Sequence, residues 1–129
     1  MKALKTILVT SLLVAAASAA PAYADCLVPT PPDKLPDGTT ATLDEMKAGQ
    51  KAMRAYNDLI KAYTDCLHLE TANAIAADKD VKLSEDARKA LERVESEKNN
   101  QAVDQATAVT TRFNEQVRIY KARADQKKG

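Results

Sequence analysis

The chain has 129 residues, with 19 basic and 18 acidic side chains, one histidine and no tryptophan. The signs are interspersed, so there is no concentrated positive charge of the kind that holds a nucleic acid backbone. Aromatic residues make up 4% of the chain, so the core is expected to be thin.

Residues 1–24 read as an export signal. Lys2 and Lys5 form a short positive start, "TILVTSLLVAAASAA" is apolar, and Ala22-Tyr23-Ala24 places small residues at the −3 and −1 positions of a cleavage site. The apolar run falls short of the roughly 20 residues that a membrane span needs. Cys26 follows closely, as in a lipoprotein, but Asp25 stands where a small apolar residue is usual. Cleavage after Ala24 leaves 105 of the 129 residues. Removing Lys2 and Lys5 then leaves 17 basic against 18 acidic residues. The expected location is the periplasm or the exterior, with no membrane span once the signal is gone.

Residues 25–41 form a proline-rich extended arm, with Pro29, Pro31, Pro32 and Pro36 and a turn at Pro36-Asp37-Gly38. Two cysteines remain in the exported chain, Cys26 and Cys66. An even count in an oxidising compartment favours one disulfide. Geometry agrees with it. The arm from Cys26 to Thr42 reaches about 50 Å in polyproline form, and the helical stretch from Thr42 to Cys66 covers about 36 Å. The arm can therefore run antiparallel along the helix back to Cys66. Closing that loop is worth roughly 3–4 kcal/mol in the chain-entropy account.

The first helix is expected over 42–77. Thr42 and Glu45 have the spacing of a capping box. Met46, Met53, Tyr56, Ile60, Tyr63 and Leu67 form a heptad stripe, with Gly49 filling the slot after Met46. "DKDVKL" at 78–83 breaks the pattern and reads as a connection. A second helix is expected over 84–125, opened by Ser84 as N-cap. Its C-terminal half carries Val103, Ala106, Thr110, Phe113, Val117, Tyr120 and Ala124 at three-four spacing; its N-terminal half carries Ala87, Leu91 and Val94. Val94 and Val103 are half a turn out of phase, and "ESEKNNQ" between them is polar. One long helix with a stutter is the preferred reading, and a break at Asn99-Asn100, giving a three-helix bundle, is the alternative. Residues 127–129 are a short tail. The fold class is thus all-α: a long, coiled-coil-like antiparallel hairpin over 42–126 with a disulfide-stapled arm. Small residues (Ala48, Ala52, Ala55, Ala62, Ala102, Ala106, Ala108) would let neighbours approach closely.

"C…P-P…LPDG", "A-T-x-x-E-M-x-x-G-Q" and "F-N-E-Q-V-R-I-Y-K-A-R" together resemble a family of small exported proteobacterial helical proteins with a Cys/Pro-rich N-terminal arm and a Pro-Asp-Gly turn. The residues concerned are Cys26, Pro36-Asp37-Gly38, Glu45-Met46, Gln50, Cys66 and Phe113-Asn114. The resemblance implies a periplasmic helical protein with the same arm, and brings no activity with it.

The chemistry considered has little support. Cys66 and His68 point about 200° apart on a helix and cannot act as a nucleophile pair. His68 has no second histidine four residues away with which to share a metal. Met46 and Met53 lie in the apolar stripe, where methionine is more often core filler than a haem ligand. Asp44-Glu45 and Glu95/Glu97 read as capping and solvation rather than an acid/base pair. Pro29–Pro32 reads as a stiff spacer rather than a polyproline ligand. No catalytic, cofactor-binding or metal-binding residue is expected. The expected function is a non-enzymatic exported scaffold or protein-binding module acting on an envelope protein or on itself. Tyr56, Tyr63, Phe113 and Tyr120 are the candidate contact residues. The alternatives are a holdase-like chaperone and a small cofactor- or metal-binding helical protein.

Overall fold

A computed structural model describes residues 26–77 and 83–127; the expected export signal and most of the expected connection lie outside the described residues. The elements are two helices, α1 (Leu43–Ala77) and α2 (Glu85–Gln126), packed against each other as an antiparallel hairpin. Both helix starts follow from local chemistry. The Thr42 amide donates to Glu45 Oε2 at 2.6 Å, and the Glu45 amide donates to Thr42 Oγ1 at 3.2 Å, the reciprocal pair of a capping box. Ser84 Oγ accepts from the Ala87 amide at 3.2 Å, with Glu85 and Asp86 in the first turn where the helix dipole favours anions.

The buried face of α1 is the heptad stripe itself: Met46, Gly49, Met53, Tyr56, Ile60, Tyr63 and Leu67. On α2 the buried residues are Ala102, Ala106, Val109 and Phe113. The expected stripe through Val103 is corrected by one position there. Val103 is 46% exposed and Val94 45%, while the smaller Ala102 and the neighbouring Val109 take the core positions. Two cross-helix approaches fix the register. A side chain on Gly49 would meet Phe113, and His68 meets Glu95. Interpolating between them puts Tyr56 level with Ala106 and Ile60 level with Ala102. Large residues on α1 thus face small ones on α2, a pairing that lets two backbones approach closely.

α2 is continuous through Asn99-Asn100, so the chain forms a two-helix hairpin. Glu95 and Asn99 are half-buried and hold seam positions between Leu91 and Ala102. The seam therefore runs 91, 95, 99, 102, two successive four-residue steps and one of three that join the two stripes without a break in the helix.

The arm closes the hairpin. Cys26 and Cys66 form a disulfide with their Cα atoms 5.9 Å apart. Cys26 and Leu35 pack against the core from the arm, as do Val117 and Tyr120 from α2. Asp37 O accepts from Thr40 N (3.1 Å) and Ala41 N (2.7 Å), so the chain turns once before α1 begins.

Candidate functional site

The chemistry of this molecule concentrates where the arm meets the two helices. At the open end of the hairpin, Pro36 lies over Gly49: a Cβ there would sit 2.7 Å from Pro36 Cγ and 3.0 Å from Phe113 Cε2. Gly38 lies on α2 as closely. A Cβ on it would overlap the Gln116 carbonyl oxygen and come within 2.9 Å of both Ile119 Cβ and the Tyr120 amide nitrogen. No described glycine has a positive φ, so glycine is required here for close approach and not for backbone conformation.

Polar groups then fasten the turn. The Gly38 amide donates to Gln116 Oε1 at 2.8 Å. The Arg123 guanidinium donates to the carbonyl oxygens of Thr39 and Ala41. Its carbon also stands 5.3 Å from the centroid of the Tyr120 ring, a cation–π distance. Asp37 Oδ1 accepts from the Thr39 hydroxyl at 2.7 Å and the Thr39 amide at 2.8 Å. These bonds favour the ionised form, with the Thr39 hydroxyl the largest cause, and hold the Asp37 carboxyl below its ordinary range. Glu45 is lowered in the same way, first by the Thr42 amide and then by its hydroxyl.

The expected contact residues divide. Tyr56, Tyr63 and Phe113 are 2%, 6% and 7% exposed and belong to the core, so none presents a surface to a partner. Tyr120 is half-buried beside Arg123. Burial raises the Tyr56 hydroxyl pKa, and that hydroxyl has no hydrogen-bond partner. His68 is exposed and its Nδ1 lies 3.1 Å from Glu95 Oε1 across the hairpin. Of the small residues, Ala102 and Ala106 are buried between the helices; Ala48, Ala52, Ala55, Ala62 and Ala108 are exposed.

Large apolar side chains are exposed as well. Leu27 is 85% exposed, Leu69 61%, Val28 60% and Leu59 55%. Leu27 and Val28 follow Cys26, while Leu69 and Leu59 sit one turn after and two turns before Cys66, on the same side of α1. The disulfide thus brings Leu27 and Val28 of the arm to the part of α1 that carries Leu59 and Leu69. Two open clefts flank the arm lower down. One of about 760 Å³ lies against α2 beside Arg112, Gln116 and Ile119; the other, of about 610 Å³, lies against α1 beside Ala48, Gly49 and Ala52.

Sequence reasoning did not find Gln116, Arg123 or these exposed side chains. Gly38 carried a signal, since a glycine in a turn before a helix is often there for close packing. The roles of Gln116 and Arg123 depend on which α2 residues stand opposite the turn, which only the register reveals.

Fold and site together define a disulfide-stapled all-α hairpin with a docked arm. Comparison with known protein families, with curated proteins and with solved structures finds no match to this chain.

Proposed function

We propose that this chain is a non-enzymatic, exported helical module that binds another protein of the cell envelope or a second copy of itself. The observation that carries the reading is the exposure of Leu27, Val28, Leu59 and Leu69 near Cys26–Cys66. Large apolar side chains left exposed on one part of a surface mark a contact site, and here a covalent bond holds those of the arm near those of α1. The disulfide fits an oxidising compartment. No described helix is long and apolar enough to cross a membrane. The lysine-led apolar N-terminus and the resemblance to small exported helical proteins support the periplasm as that compartment.

In-cell photo-crosslinking tests the reading. A photoreactive side chain at position 28 or 69 should capture one defined envelope protein or a second copy, and Leu59→Lys should abolish the capture. The same probe at position 118, on a charged face, should capture neither. Equal capture from 69 and 118, or none from either 28 or 69, would remove the proposal. A holdase-like chaperone is the second reading, favoured by the same exposed side chains; it predicts many captured species from these positions instead of one.

A further inference from the structure

The arm is anchored in two unlike ways. Among the described residues, the hydrogen bonds that tie it to α2 all involve residues 38–41: the Gly38 amide on Gln116, and the Thr39 and Ala41 carbonyls on Arg123. None ties residues 26–36 to either helix. That stretch is held by the Cys26–Cys66 bond at its far end and by the half-buried Pro29, Pro31, Pro32, Leu35 and Pro36 along its length. Leu27 and Val28, next to the staple, are the most exposed large apolar residues of the arm.

What lies beneath follows from the spacing on α1. Gly49 is in contact with Pro36. Tyr56 and Tyr63 lie one and two heptads further along the same line of the helix, and Cys66 is one turn beyond Tyr63. The arm, stretched from Pro36 to Cys26, therefore runs over the side of the seam that carries the two tyrosines. Both are almost fully buried in a hairpin only two helices thick.

We propose that residues 26–35 are a redox-released strap: reducing Cys26–Cys66 frees them and uncovers Tyr56 and Tyr63, while the turn at 36–41 stays docked on α2. This inference goes beyond the partner reading above and does not require it. The reductant is a dithiol protein of the Cys-x-x-Cys class. One of its thiolates attacks a sulfur of the staple, forming a mixed disulfide and releasing the other cysteine as a thiolate. Its second thiol then displaces the first sulfur. Two electrons and two protons pass to this chain, which gains two thiols, and the donor leaves as a disulfide.

The test uses the exported chain in its oxidised form, after reduction with a small-molecule dithiol, and as the Cys26→Ser/Cys66→Ser variant. Far-ultraviolet circular dichroism verifies that the helices persist. The readouts are the backbone 1H–15N heteronuclear NOE, residue by residue, and acrylamide quenching of tyrosine fluorescence. Reduction and the double variant should both drop the NOE at 27, 28, 30 and 33–35 to free-chain values. Gly38, Thr39 and Thr40 should be unchanged, and the quenching constant should at least double. Unchanged NOE values at 27–35 would overturn the proposal, because packing alone would then hold the arm. Equal loosening of 38–41 or of the helices would overturn it too, because the staple would then support the whole fold rather than a separable strap.

Discussion

Replacing Gly38 by alanine sets two effects of opposite sign against each other. The residue has no positive φ, so alanine is free to adopt the native backbone. By reducing the freedom of the unfolded chain it should then add about 0.4–1 kcal/mol of stability. The structure argues for the reverse. The new methyl group would overlap the Gln116 carbonyl oxygen and crowd the Tyr120 amide, both rigid helix backbone. The turn has to lift from α2. Lifting it breaks the Gly38–Gln116 bond, worth about 1 kcal/mol, and the two Arg123 bonds, worth about 1 kcal/mol each at a partly exposed site. The net expectation is a loss of about 2 kcal/mol, which for a domain of this size lowers Tm by roughly 8–16 °C. Thermal melting followed at 222 nm, with urea unfolding as a second measure, reads the change. A Tm equal to or above that of the parent protein would refute the docked turn.

Three further outcomes follow from single features. Tyr56→Phe removes a buried hydroxyl that has no partner and should stabilise the protein by about 1 kcal/mol in urea unfolding; a clear loss would mean that the hydroxyl is bonded. Asn99→Leu places an apolar residue at a half-buried seam position and should raise the urea midpoint, by about 1 kcal/mol in stability; a lowered midpoint would show that the seam does not pass through residue 99. Asp37 and Glu45 both have folded pKa values below their unfolded ones. Their contribution is present above the ordinary carboxylate range and lost as the pH falls below about 4 through the folded values. Asp37→Asn/Glu45→Gln should flatten the acid limb of the Tm–pH curve; an unaltered limb would contradict the assigned bonds.

The hairpin was legible because its signals are local and periodic. The stripe from Met46 to Leu67 reads directly as the buried face of α1, and Thr42, Glu45 and Ser84 mark the helix starts through bonds that span three residues. The pairing of Cys26 with Cys66 was legible because two cysteines permit a single pairing and the arm has the reach for it. α2 was harder. Val103 is larger than Ala102 and so attracted the stripe, whereas packing opposite bulky Ile60 selects the smaller residue. Glu95 and Asn99 hid the seam because polar side chains carry no periodic signal. The contacts of Arg123 and Gln116 with the turn span more than 75 residues of sequence, and no local pattern encodes which of the α2 residues will face Gly38.

Non-reducing tryptic mapping of the natively purified protein, with thiols blocked before denaturation, tests the closed arm most directly. A single cross-linked species joining the Cys26 peptide that ends at Lys34 to the Cys66 peptide spanning 62–79 is the expected product. Recovery of both peptides separately, each with a blocked thiol, would contradict it.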